Sequence, residues 1–386
     1  MGDDLKRKIL LHNLSSNNPI LEKLKGGQEP NSNEEGSDSI GDLPSLKNDY
    51  KRQDNNSTNC TYIPPSQWNT YFRSNEHIKV QSRNIEFNTY YTVPSSILGP
   101  SLPVFIFHHG AGSSGLSFAN LARNLGDQLN NNCCCLSFDA RGHGGTKFID
   151  AKQAQNYFRD DFVDDFHTLV EYFVSEKLKH LPTEKLSIIF IGHSLGGSIC
   201  TFTYSKLSIE LKKQVIGVAM FDIVEEAATL ALEKVNHFLQ VTPNMFSGYE
   251  EAIDWHVSHE LSRLRESADI AIPALFKSTE SGKVVRITNL ETFRPFWRTW
   301  FSDLSKSFVS LPTCKLLILA GNDNLDRELI IGQMQGKYQL VVFQDSGHFI
   351  QEDTPRKTAL TLVDFWKRND NKNVVIKSNW GSSNKV

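Results

Sequence analysis

A serine held on a sharp turn between a strand and a helix becomes a nucleophile when a base and an acid can reach it. Residues 187–197 have that form: the apolar run Ser187-Ile188-Ile189-Phe190-Ile191 stops in Gly192-His193-Ser194-Leu195-Gly196-Gly197, and a helix-competent stretch to Leu207 follows. Glycine two places on either side of Ser194 lets neighbouring elements approach a strained backbone closely. A helix that starts here also places unpaired backbone N–H groups, that of Leu195 first, beside the hydroxyl, where a negative oxygen would form in acyl transfer.

Serine is a weak nucleophile until a base takes its proton, and on such elbows the chain order is serine, then acid, then histidine. Of the twelve histidines, His348 is the best placed, in Asp345-Ser346-Gly347-His348 after the last expected strand and before a closing helix. His167, His180, His237, His256 and His259 read as ordinary hydrogen-bonded histidines. His143, in Arg141-Gly142-His143-Gly144, precedes the serine and is expected at the pocket rim. Two acids at strand ends, Asp222 and Asp323, could orient His348, and spacing leaves both open. The commonest arrangement takes the acid after the penultimate strand, which favours Asp323, with Asp326 close behind it.

The string Gly110-Ala111-Gly112-Ser113-Ser114-Gly115, with Asp139 ending the next strand, is formally a dinucleotide fingerprint. Two features oppose that reading. His108-His109 stands before the first glycine, as in the loops that supply a second oxyanion N–H in esterases and lipases. Two strands also precede this one, whereas a dinucleotide loop usually follows the first strand of its domain. The loop near Ala111 is therefore expected to face the serine.

The elements that must position these groups alternate. Apolar runs at 104–107, 133–138, 186–191, 216–221, 316–319 and 340–343 read as strands buried on both faces, after two earlier strands at 77–80 and 84–93. Helical patterns lie between them at 116–129, 158–178 and 195–207, and after the last at 356–367. That alternation predicts an α/β fold with a mostly parallel central sheet and helices on both faces. The stretch 223–311 holds helical patterns and no convincing strand, and is too long for a connection, so it reads as an inserted helical lid. Its aromatic concentration, Phe293, Phe296, Trp297, Trp300 and Phe301, is expected to pack the lid onto the core, with a substrate channel as the alternative. Phe158, Phe162, Phe166 and Phe173 read as core, and Asp160, Asp161, Asp164 and Asp165 as a solvated face.

Residues 1–60 are rich in Asn, Ser, Asp, Lys and Gly and read as a disordered polar tail, and 371–386 as a second polar tail, around a domain at 61–370. The chain has 386 residues, 39% hydrophobic and 22% charged, with a net charge of −3, which argues against binding nucleic acid through its phosphates. No run is apolar enough to span a membrane, and the first residues do not read as a secretory signal. Six cysteines without metal or disulfide spacing read as reduced, buried thiols, with Cys133, Cys134 and Cys135 pointing alternately to opposite sides of a sheet. A cytoplasmic or nuclear monomer is expected, with no cofactor and no metal.

Longer strings carry a resemblance. His109-Gly110-Ala111-Gly112 with Leu116-Ser117-Phe118, Asp139-Ala140-Arg141-Gly142-His143-Gly144, the elbow itself, and Phe221-Asp222-Ile223-Val224-Glu225 resemble the protein phosphatase methylesterases. More particular are Ala252-Ile253-Asp254-Trp255, the run from Leu319-Ala320-Gly321 to Leu325-Asp326, Ile331-Gly332-Gln333-Met334-Gln335-Gly336-Lys337, and Gly347-His348 with Glu352-Asp353 and Pro355. The likeness covers roughly 60–370. It implies the α/β-hydrolase fold, a serine esterase, and as substrate the methyl ester on the C-terminal leucine of the type 2A phosphatase catalytic subunit. It also implies a triad of Ser194, Asp222 and His348, reversing the preference for Asp323, with Leu195 and Ala111 giving the oxyanion N–H groups. Ala111 departs from the family's usual glycine, which a backbone donor tolerates. The competing functions are a small-molecule carboxylesterase or lipase with the same triad, and a catalytically silent module of this fold that binds the phosphatase.

Overall fold

Strands that are covered on both faces need apolar side chains throughout, and the central strands here consist of little else. The computed structural model describes residues 67–153, 155–232, 242–321 and 325–373. The expected tail over 1–60, all but three residues of the one over 371–386, and Asp323 lie outside the described residues. In chain order the strands are β1 (Ser74–Val80), β2 (Ile85–Thr92), β3 (Leu102–His108), β4 (Cys134–Phe138), β5 (Lys147–Phe148), β6 (Leu186–His193), β7 (Val215–Phe221), β8 (Met245–Phe246), β9 (Phe276–Ser278), β10 (Val284–Arg286), β11 (Cys314–Ala320) and β12 (Gln339–Phe343).

The main sheet runs β1-β2-β4-β3-β6-β7-β11-β12, with β5 on the edge of β2. β1 and β2 are antiparallel to their neighbours, and every pair from β4 to β12 is parallel. Such strands need crossovers, and the helices α1 (Ala119–Gln128), α2 (Arg159–Tyr172) and α3 (Leu195–Lys206) provide them. One face carries α2 and α3 over Val104, Ile106, Ile188 and Phe190. The other carries α1 and the C-terminal helix Pro355–Asn369 over Phe105, Phe107, Ile189 and Ile191. The cysteine triplet splits between these faces, Cys134 in the first core and Cys133 and Cys135 in the second. Among the described residues no helix is long and apolar enough to cross a membrane.

Three expectations need correction. The insertion between β7 and β11 is not all helical: besides helices Tyr249–Ser258, Arg265–Ala271 and Leu304–Ser310 it holds an antiparallel sheet, β8-β10-β9. Strands of two and three residues are too short for a period to register. They are stabilised by a hairpin in which Thr279 N–H meets Lys283 O at 2.8 Å, and by a satellite core of Phe246, Trp255, Ile272, Phe276 and Val284. Phe162, Phe166 and Phe173 are core, but Phe158 is 43% exposed, because it is the extended residue before the first turn of α2 and helical spacing does not yet apply to it.

The acidic face of α2 is not wholly solvated either. The Asp165 side chain is 3% exposed and takes Arg141 Nε at 2.6 Å, Arg141 Nη2 at 2.8 Å and Arg83 Nε at 2.8 Å. Two guanidinium groups around one buried carboxylate tie α2 to the loop after β4, which borders the site. Removing Asp165 leaves Arg83 and Arg141 only the more distant and more exposed Asp161 and Asp164, at 3.5–3.9 Å, in place of the buried carboxylate they close on. Asp165→Ala should therefore cost about 3–5 kcal/mol in urea unfolding, and a loss below about 1 kcal/mol would show that the group does not hold this loop.

Candidate active site

Ser194 sits between β6 and α3 with φ 52° and ψ −120°, a backbone conformation that costs a residue with a side chain about 1–3 kcal/mol. The surroundings enforce it. Ser194 N–H donates to Phe221 O at 2.9 Å, and Gly197 N–H to Ser194 O at 2.8 Å. A Cβ on Gly192 would lie 2.1 Å from Gly196 O, and one on Gly196 would lie 2.0 Å from His108 O, so only glycine lets the turn close and β3 approach it. The result is a half-buried serine at the C-terminal end of the parallel strands, with Leu195 opening α3 and its N–H among those without a helical acceptor.

The next strand brings the acid. His193 pairs with Phe221 across β6 and β7, and Asp222 follows at once with φ 48°. Its N–H donates to Ile318 O at 2.8 Å, and its Oδ1 accepts Ala320 N–H at 2.8 Å. Both bonds lock it to β11. Oδ2 then meets His348 Nδ1 at 2.7 Å. The Asp222 side chain is 3% exposed and His348 24%. A buried carboxylate on Nδ1 holds the proton there and leaves Nε2 with a lone pair, the form a base needs. A second link reaches the same loop: His193 Nε2 lies 2.9 Å from His348 O, with the two rings 4.6 Å apart. Asp326, the other acid near β11, caps the helix Arg327–Met334 by accepting Leu329 N–H at 3.0 Å.

The loop after β3 lies against the elbow. A Cβ on Gly110 would be 3.0 Å from Ser194 Cβ and 3.0 Å from His193 Nδ1. Gly112 N–H donates to His143 Nε2 at 2.9 Å and Ser113 N–H to Gly110 O at 3.2 Å, so among the described residues the amides of Gly112 and Ser113 are taken and that of Ala111 is not. Asp139 accepts Gly115 N–H at 2.8 Å, Gly145 N–H at 2.7 Å and Asn88 Nδ2 at 2.8 Å. With its oxygens spent on this chain's own backbone and on Asn88, it does not serve as the acid of a dinucleotide loop. His143 is not on a rim: it is 1% exposed behind the loop. Burial pushes His143 and His108 down to about 4, and His109 and His193 well below the ordinary histidine range, so these four rings are neutral.

Several residues that support the site were given no role by the sequence patterns. Glu352 is buried four residues after His348, accepting Ser117 Oγ at 2.5 Å and Ser262 Oγ at 2.9 Å. Asp353 accepts Gly347 N–H at 2.8 Å and Arg263 N–H at 2.7 Å. The His348 loop is thus fastened both to the segment after the Ala111 loop and to the lid. The one available signal was the acid pair itself, placed where a closing helix would begin. Of the lid aromatics, Phe293, Trp297, Trp300 and Phe301 are buried in the main core, and Trp300 Nε1 donates to Tyr157 O at 2.8 Å, which is lid-to-core packing rather than a channel wall. Among the described residues no group of three His, Cys, Asp or Glu side chains is placed to hold a metal ion.

Comparisons with known proteins bear on the fold and the family. Residues 103–355 match the family model of the α/β hydrolase fold. Protein phosphatase methylesterase 1 of Saccharomyces cerevisiae is 56% identical, over 100% of this chain and 99% of that one. The protein of the same name from Kluyveromyces lactis is 52% identical over 99% and 97%. Among solved structures, an E-2-(acetamidomethylene)succinate hydrolase has a TM-score of 0.59 at 18% identity, covering 76% of this chain and 100% of its own. A Mycobacterium tuberculosis esterase has 0.55 at 17%, covering 76% and 92%. At such identities these two structures speak for the fold alone.

Burial raises Glu352 from 4.5 to about 8. Because the folded value exceeds the unfolded one, the proton on Glu352 stabilises the fold fully below about 4.5, and that contribution is lost as pH rises through about 8. Glu352→Gln keeps a neutral amide in place. The stability of the wild type relative to this variant should fall by a few kcal/mol between pH 5 and pH 8.5 in paired urea titrations. A constant difference across that range would mean that Glu352 carries no displaced proton.

Proposed function

Since this chain belongs to the protein phosphatase methylesterases of the α/β hydrolase fold, we propose that it removes the methyl ester from the C-terminal leucine of the type 2A phosphatase catalytic subunit through an acyl-enzyme on Ser194. It is a carboxylic ester hydrolase. Ser194 Oγ attacks the ester carbonyl while its proton passes to His348 Nε2. The oxygen that gains charge is received by the N–H groups of Leu195 and Ala111, each such donor being worth about 3 kcal/mol of barrier. His348 then gives the proton to the departing methoxide, and methanol leaves. Water, deprotonated by the same imidazole, attacks the acyl-enzyme; the acyl–Oγ bond breaks, His348 returns the proton to Ser194 Oγ, and the leucine carboxylate is released. Asp222 keeps the Nδ1 proton in place and stabilises the imidazolium at each step.

The observation that carries this reading is the 2.7 Å contact of His348 Nδ1 with Asp222 Oδ2 on the strand beside the elbow. It supports Asp222 over Asp323 as the acid, in line with the resemblance. In favour of a protein over a lipid substrate, the lid's described aromatics Phe293, Trp297, Trp300 and Phe301 are buried in the main core instead of being held free to grip an acyl chain. Free, buried Cys133, Cys134, Cys135 and Cys200 suit a reducing compartment, cytoplasm or nucleus, and a monomer suffices because the site's groups all come from one chain.

Methanol release from methylated phosphatase is the direct test. Ser194→Ala should lower it by at least about a thousandfold, and a variant that kept its rate would overturn the acyl-enzyme. On a small ester, Asp222→Asn should lose about 10³–10⁴ in kcat, while Asp323→Asn stays near wild type. A greater loss at Asp323 would move the acid there.

A further inference from the structure

We propose that His109 is a positioning residue that locks the Gly110–Ala111 peptide in the one orientation that turns Ala111 N–H towards Ser194. This rests on the serine-esterase reading above and adds to it the device that fixes the second oxyanion donor.

A trans peptide is planar, with its C=O and N–H pointing in opposite directions, so whatever holds Gly110 O also aims Ala111 N–H. Two donors hold that oxygen: His109 Nδ1 at 2.7 Å and Ser113 N–H at 3.2 Å. The histidine bond has only one possible sense. Ala140 N–H points at His109 Nε2 at 2.9 Å, so Nε2 must carry the lone pair and Nδ1 the proton. That proton faces Gly110 O. Burial keeps the ring neutral, so this tautomer is the one present.

The ring cannot swing away. It is 1% exposed, with the His108 ring 5.8 Å and the His143 ring 4.9 Å from its centroid. His143 repeats the arrangement one step along, its Nε2 taking Gly112 N–H at 2.9 Å and its Nδ1 donating to Arg141 O at 2.8 Å. Such a lock is needed because Gly110 packs against the elbow, where a Cβ would lie only 3.0 Å from Ser194 Cβ, and glycine is the residue whose peptide turns over most easily. A flipped peptide would present a carbonyl oxygen to the developing oxyanion and remove a donor at the same time.

Three variants separate this role from a structural one. Asparagine can put its amide N–H where Nδ1 stands, glutamine can put its oxygen where Nε2 accepts Ala140 N–H, and leucine does neither. On a short activated ester, His109→Leu and His109→Gln should lose about 10²–10³ in kcat with KM within about threefold, and His109→Asn should recover to within about tenfold of wild type. Recovery by Gln and not by Asn, or equal losses in both, would overturn the proposal, since the bond to Ala140 or plain packing would then be what matters. If Leu fails to fold, the Asn and Gln pair still decides, and if neither of those folds, His109 governs stability and the proposal is lost. A pre-steady-state burst in the wild type, with fluorophosphonate labelling of Ser194, tests the underlying reading separately. Absence of both would remove the acyl-enzyme itself, whatever the His109 series gave.

Discussion

Backbone contact at one turn governs the rest of this molecule. Gly196 lies so close to His108 O that even a methyl group would not fit, and Ser194 N–H is spent on Phe221 O. These two contacts bind β6 to β3 on one side and to β7 on the other at their C-terminal ends. The strands on either side therefore deliver their loops to the same point: the Ala111 loop from β3, Asp222 from β7, and through β11 the amide of Ala320 that orients Asp222. A relaxed turn would open the spacing that all three depend on. The strain at Ser194 and the positive φ of Asp222 are sustained by the parallel sheet beneath them.

Burial then divides the histidines into two kinds. His108, His109, His143 and His193 are deeply buried without a carboxylate at hand, stay neutral, and hold backbone groups through their rings, His109 and His143 through both nitrogens. His348 differs in both respects, being a quarter exposed and bonded to a buried aspartate. The first kind fixes backbone, and the second is equipped to exchange protons. Composition alone cannot distinguish them, because the difference lies in what faces each ring.

That division explains how far the sequence could be read. The elbow was legible because its chemistry needs glycine at fixed offsets, and the central strands because burial on both faces makes them continuously apolar. His348 was legible from chain order. Asp222 was not selected by spacing, since a second strand-end acid fitted equally well, and what distinguishes it is a pair of backbone bonds that depend on register between β7 and β11. The lid's sheet was hidden because strands of two or three residues leave no period. Phe158 and Asp165 were misread for a related reason: a helix's first residue and its neighbours across a loop are set by tertiary contacts, here Phe296 and two arginines from elsewhere in the chain.

The lid is a structural part of the site rather than a cover over it. Through Ser262 and Arg263 it holds Glu352 and Asp353, and so the loop that carries His348. On the opposite side Leu290 lies where a Cβ on Gly112 would be 3.1 Å from Leu290 Cδ1, and the Phe293 ring lies 5.2 Å from that of His143. The base and the oxyanion loop therefore both rest on one insertion, which packs on the core through Trp300 and Phe301. Catalysis depends on holding a base and an oxyanion donor at fixed separation, so the packing of this insertion is part of what the chemistry requires.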